Sequence, residues 1–149
     1  MSGAQAVPEA RRWLGTPYVH QGAICGAGCD CLGLIRGVYG TLYGDPAEVP
    51  PAYSRDWSEP QGEERLWQAA LRHLQDKPLM QAAPGDVILF RMRSGAVAKH
   101  LGLQTICGAQ ARFIHAYQGH GVVETALSMP WQRRIVARFA FPDLNQQQE

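Results

Sequence analysis

The chain has little of what marks membrane, exported or nucleic-acid-binding proteins. No apolar run reaches the ~18 residues that a helical bilayer span requires, and MSGAQAVPEARRW at the N-terminus has neither the basic start nor the apolar stretch of an export signal. An excess of one charge is missing too. Fourteen Lys and Arg stand against 13 Asp and Glu, a net charge of +1, so the strong positive field of a nucleic-acid binder is not expected. Sixteen glycines and ten prolines are scattered without period, which excludes collagen and low-complexity architectures. Cysteine is scarce and uneven: of four, Cys25, Cys29 and Cys31 crowd together and Cys107 stands alone. That spacing is too cramped for a disulfide framework, in a chain of 149 residues that has no need of one. What is present, 46% hydrophobic and 18% charged residues, suits one domain over 1–149, with a disordered tail from about 144.

Periodicity places helices first and strands second. Pro8 suits the first position of a short helix whose last turn holds Trp13 and Leu14 and which Gly15 stops. A glycine-rich loop runs to Asp30. From Cys31, CLGLIRGVYGTLYG carries Leu34, Ile35, Val38, Tyr39 and Leu42 at helical spacing, opened by an N-cap-type Asp30 and closed at Gly44. Gly33 and Gly37 are costly on a helix unless another backbone packs against them. The proline-rich stretch 45–60, with Tyr53 and Trp57, reads as an extended connection lining a groove. EERLWQAALRHLQD is a second long helix by its apolar stripe. After Pro84-Gly85-Asp86, the segments VILF, VAKHLGLQTI, ARFIHAY, GVVETAL and RIVARFAF read as strands between glycine-rich turns. Helices followed by strands imply an α+β fold with a mostly antiparallel sheet packed on the N-terminal helices.

One constellation carries chemistry. A cysteine at the first position of a helix meets unpaired N–H groups and the positive end of the helix dipole, which favour the nucleophilic thiolate. Cys31 is in that position. His100 shares a strand face with Ala98 and Gly102, small neighbours that leave room for the Gly33/Gly37 surface. A symmetric hairpin turn at Cys107-Gly108 would set His100 directly opposite His115, with Cβ atoms about 4.5–5.5 Å apart. A bulge would break that register. Cys31 as nucleophile, His100 as base and His115 as orienting group together form the working parts of a thiol hydrolase. Backbone N–H groups at the helix start would hold the oxyanion.

These segments resemble the NlpC-type cell-wall peptidases, papain-like cysteine hydrolases, and especially the short forms found in phage tail clusters. The similarity covers nearly the whole chain. WLGTPYVHQGAICGAGCDCLGLIRGVYG resembles the family's Gly-Thr-Pro-Tyr segment followed by Asp-Cys and a helix. PGDVILF, KHLGL and FIHAYQGHGVVE resemble its strand entry, its catalytic-histidine strand and its third-residue strand. The resemblance implies a papain-like fold, with Cys31 as nucleophile, His100 as base, His115 as the third polar residue and Tyr18 as a phenol beside the cysteine. It also implies that Asp30, besides capping, helps bind a substrate amine, although Leu32 replaces the serine that usually follows the nucleophile. The implied reaction is cleavage of a peptidoglycan stem peptide, commonly between γ-D-glutamate and diaminopimelate, with no metal and no organic cofactor. Implied partners are the stem peptide and the hub or baseplate proteins of a phage-like or gene-transfer-agent tail, with no nucleic acid and no membrane.

Three rival readings remain. Cys25, Cys29, Cys31 and His20 are all zinc-ligand types, but lack the paired two-residue gap of zinc sites. Cys25 and Cys29 would otherwise pack in the loop or form a labile disulfide. A structural tail component could keep the fold and use Tyr53, Trp57 and Trp131 as interface anchors, and an amidase could use the same thiol chemistry. His73 and His120 are expected to be solvated, and His20 to lie at the cleft or the surface.

Overall fold

The computed structural model describes residues 2–45 and 64–143. In chain order the elements are α1 (Ser2–Arg11), β1 (Ala23–Ile24), β2 (Gly28–Cys29), α2 (Cys31–Tyr43), α3 (Arg65–His73), β3 (Gln75–Lys77), β4 (Val87–Phe90), β5 (His100–Ile106), β6 (Arg112–Tyr117), β7 (Gly121–Ala126), α4 (Met129–Gln132) and β8 (Ile135–Ala140). Six strands form one sheet in the order β3-β8-β4-β5-β6-β7, and every neighbouring pair in it is antiparallel. The expected α+β segregation is what the chain adopts. The connection at 46–60, with Tyr53 and Trp57, and the tail from 144 lie outside the described residues.

Helix α2 runs over the residues its periodicity requires. Leu34, Ile35 and Val38 pack in one cluster with Val87, Leu89, Leu101, Leu103, Ile114 and Ala116, so its aliphatic face meets the sheet. The opposite sheet face carries Ile88, Phe90, Phe113 and Leu127, covered by Trp131. Because β4 is packed on both faces, VILF is a continuous apolar run and not an alternating one. Gly33 and Gly37 do not receive the histidine strand. A Cβ at Gly33 would stand 1.8 Å from the Gly22 carbonyl oxygen, and one at Gly37 2.1 Å from the Trp13 ring. The bare face thus admits the N-terminal segment, while the larger apolar face takes the sheet, where more surface leaves water.

Four other elements depart from expectation. Helix α1 begins at Ser2 and contains Pro8 in its interior. Ala6, Ala10 and Trp13 are buried, and packing this small-residue stripe against α2 outweighs the hydrogen bond that proline removes. The chain then tightens through i→i+3 bonds from Arg12, Trp13 and Leu14. The glycine-rich loop contains the β1–β2 hairpin, which pairs Ala23 with Cys29. The second helix stops at His73, and Gln75–Lys77 pairs instead with β8. Pro78 disfavours helical geometry at Lys77, and the Lys77 ammonium reaches the buried Asp86 at 3.0 Å. Helix α4 is a single turn that no periodicity announced. It carries Trp131.

The hairpin register differs as well. Leu103 pairs with Ile114 and Gln104 with Phe113, and the register then shifts before Ile106 meets Arg112. The turn centres on Ala109 and not on Cys107-Gly108, and one extra residue on β5 then sets the register of the rest of the pair. Followed toward the start of β5, the register sets Tyr117 opposite His100 and Gly102 opposite His115. The two histidines are diagonal neighbours on one face, not direct partners.

Candidate active site

Asp30 builds the start of α2. Its Oδ1 accepts from the Gly33 N–H at 2.8 Å and its Oδ2 from the Gln21 N–H at 2.8 Å, so one carboxylate caps the helix and pins the preceding loop. It is buried. His20 approaches Oδ2 at 3.9 Å. Cys31 follows as the first helical residue, nearly enclosed, and its Sγ donates to the Lys99 carbonyl at 3.8 Å. The N–H groups of Leu101 and Leu32 face the same sulfur. Cys31 therefore meets the backbone at the start of β5, at the residues on either side of His100. Tyr18 forms a parallel bridge with Cys29 and its half-buried ring packs against the cluster that contains Cys31.

His100 and His115 come together across β5 and β6. His100 Nε2 lies 2.8 Å from His115 Nδ1, and His115 Nε2 lies 2.9 Å from Thr125 Oγ1. Aromatic rings wall the pair. Trp131 stands 5.7 Å from the His100 ring and 5.0 Å from the His115 ring, Phe90 is 5.6 Å from His100, and Phe113 is 4.3 Å from His115. Tyr117 stacks on His115 at 5.3 Å, and His120 stacks on Tyr117 at 5.3 Å. A glycine at 102 makes this arrangement possible, since a Cβ there would stand 2.6 Å from the Phe113 ring. Trp131 is thus placed as a wall over the histidines. Thr125 and the aromatic enclosure carry no sequence signal of their own, because β7 places Thr125 beside His115 only once the sheet has paired.

Enclosure sets the protonation states. Burial pushes the Cys31 thiol up to about 12, the Asp30 carboxylate adds to this, and the Leu101 and Leu32 N–H groups pull the other way. Burial, and then the neighbouring His115, push His100 down to about 3. His115 is pushed down to about 4 by burial and then by His120. Cys31 is thus a neutral thiol, and His100 and His115 are neutral imidazoles. A helix-start thiolate, the expectation from position alone, gives way because desolvating a charge costs more than the helix end returns.

The proposed zinc ligands do not converge. Cys25 turns outward to donate to the Arg12 carbonyl at 3.4 Å, and His20 contacts Gln21 and Asp30. All four cysteines are free thiols, and among the described residues no group of three or more His, Cys, Asp or Glu is placed to hold a metal. His73 is half-buried against Tyr39, not solvated.

The sequence profile of the NlpC/P60 family matches residues 15–139, a span that holds every residue of this site. The chain belongs to the NlpC/P60 family. Among solved structures, this NlpC/P60 chain is similar to a lipoprotein-like NLP/P60 family protein from Staphylococcus aureus, with a TM-score of 0.65 and 23% identity over 95% of this chain and 42% of that one. The NlpC/p60 domain of the peptidoglycan hydrolase SagA aligns with a TM-score of 0.63 and 24% identity, covering 93% of this chain and 98% of that domain. NlpC2 from Trichomonas vaginalis aligns with a TM-score of 0.60 and 20% identity, over 94% of this chain and 46% of its own. The chain therefore spans less than half of the first and third of these proteins, and nearly all of the SagA domain. Comparison with curated protein sequences finds no match. At these identities the likeness is one of fold, and it agrees with the helix-start cysteine packed on an antiparallel sheet.

Proposed function

We propose that this NlpC/P60 chain is a thiol endopeptidase that cuts peptidoglycan stem peptides, with the bond between γ-D-glutamate and diaminopimelate as its target. The observation that carries this reading is the His100–His115 contact of 2.8 Å, together with a cysteine that opens a capped helix and bonds the carbonyl of Lys99, the residue before His100. Among the described residues His100 Nδ1 has no hydrogen-bond partner. With Nε2 engaged by His115, that nitrogen is the one left to take the Cys31 proton. Transfer from a neutral thiol to a neutral imidazole accompanies attack on the scissile carbonyl, and the imidazolium then protonates the leaving amine. The charge pair exists only while substrate shields it. Backbone N–H groups at the start of α2 stabilise the oxyanion, Tyr18 lines the cysteine side, and Asp30 supports the helix start and is the residue assigned to the substrate amine. No metal or organic cofactor takes part.

Delivery in the tail hub of a phage or gene-transfer-agent particle completes the proposal. It rests on the resemblance of the chain as a whole to the short tail-borne members of the family, and detection of the chain in purified particles by peptide mass spectrometry tests it. Activity is tested by incubating purified sacculi with the wild-type chain and with Cys31→Ala and analysing released muropeptides by mass spectrometry. Fragments ending at γ-D-glutamate and released by the wild type alone are expected. Equal release by both proteins would overturn the mechanism, and no release by either would favour a structural tail protein.

A further inference from the structure

Thr125 has no part in the mechanism above, yet it ends the hydrogen-bonded series that begins at the base. His100 on β5, His115 on β6 and Thr125 on β7 project from one sheet face. Each is a diagonal neighbour of the next, with contacts of 2.8 Å and 2.9 Å. A neutral imidazole carries one N–H, so two rings in series have two arrangements. In the first, both protons sit on Nε2: His100 donates to His115 Nδ1, His115 donates to Thr125 Oγ1, and His100 Nδ1 is bare. In the second, both sit on Nδ1: Thr125 donates to His115, His115 donates to His100, and His100 Nδ1 carries a proton. Only the first leaves His100 with an unprotonated Nδ1 that can act as a base. It also avoids burying an N–H with no acceptor, because among the described residues His100 Nδ1 has no partner. The Thr125 hydroxyl is half-buried on β7, the last strand of the sheet, so while accepting from His115 it keeps its own proton turned to the edge.

We infer that Thr125 is a positioning residue that accepts the His115 Nε2–H and thereby holds His100 in the tautomer whose Nδ1 is free to act as base. The inference rests on the thiol-hydrolase reading for its kinetic consequence, but not for its structural one. Without the hydroxyl, His115 Nε2–H loses its acceptor, so the first arrangement loses its advantage and the second, which puts a proton on His100 Nδ1, becomes populated.

Histidine-selective 15N NMR on the full chain, in a Cys31→Ala background, reads the tautomers without turnover. Both rings are expected as Nε2–H forms in that background, and Thr125→Val is expected to shift His115 toward the Nδ1–H form, with Thr125→Ser reversing the shift. In the Cys31-intact enzyme Thr125→Val lowers kcat about tenfold, the worth of an ordinary hydrogen bond, with KM unchanged. Thr125→Ala is carried in parallel, since it removes the hydroxyl without demanding space. Unchanged tautomers in both Thr125→Val and Thr125→Ala would overturn the inference. If even the wild type cuts no wall peptide, the peptidase reading fails while the NMR result still decides the role of Thr125.

Discussion

At the scale of single residues the site is governed by enclosure. Cys31 and His100 are 7% and 8% exposed and His115 1%, so each is neutral while buried, and on the proposed mechanism the ion pair forms only with substrate in place. The roles of the two histidines separate in rate. On the proposed mechanism His100→Ala removes the base and is expected to lower kcat by about 10²–10⁴-fold, whereas His115→Ala removes only its orientation and costs less; equal or inverted losses in steady-state kinetics would reverse the assignment. Buried neutral rings also make stability depend on pH. Unfolded, each imidazole takes a proton near 6.5, while in the folded protein His100 does so only near 3 and His115 near 4. The unfolded chain therefore binds more protons between these values, and stability, full above pH 6.5, falls as pH drops toward 4. The slope is at most about 1.4 kcal/mol per pH unit for each ring. Urea midpoints taken from pH 7 to 4.5 should fall less steeply for His115→Asn than for the wild type, and parallel curves would show that His115 is not held neutral. Cys31, His100 and His115 were legible in the sequence because helix start and strand face are local properties. Their protonation was not, because burial is a property of everything packed around them.

At the scale of elements, α2 is the piece the sequence specifies most completely. A 13-residue helix is capped by Asp30 and closed by Gly44 at φ 90°, whose N–H returns to the Gly40 carbonyl, and its apolar face points where its periodicity says. Removing the cap in Asp30→Ala should cost about 1–2 kcal/mol in chemical denaturation and slow turnover, because the same carboxylate also holds the Gln21 N–H; Asp30→Asn should recover most of the stability. Gly33→Ala is expected to cost about 2–3 kcal/mol, since the added methyl meets a backbone carbonyl that cannot step aside; a loss below 1 kcal/mol would show that the α2–loop contact is looser than the geometry implies. Helix α1 and strand β3 show where local reading ends. Proline inside α1 is tolerated only because Ala6 and Ala10 fit closely against α2, and Gln75–Lys77 is a strand only because β8 offers it partners.

At the scale of the whole molecule, the sheet brings distant segments into one site. The thiol comes from one side and the histidine chain spans β5, β6 and β7 under the Trp131 ring. Behind it a buried polar cluster ties the far half of the sheet: Arg138 bonds Asp86 at 3.0 Å and also Gln104, and Asp86 holds the Ala83 N–H at 2.9 Å. Arg138→Met leaves that carboxylate short of its buried partner and should cost about 3–5 kcal/mol in urea unfolding, with the site following the fold; a loss under 1 kcal/mol would mean that Lys77 alone satisfies Asp86. By itself the sequence determined the α+β order, the helix that presents Cys31, the strands that carry His100 and His115, and the family, because each depends on residue spacing within a short segment. Only the tertiary structure decided the bulged register that makes the histidines diagonal, the neutral resting thiol, the aromatic enclosure and the contact with Thr125. Those depend on which strands pair and on how much water their packing excludes, and neither quantity exists until the chain has closed.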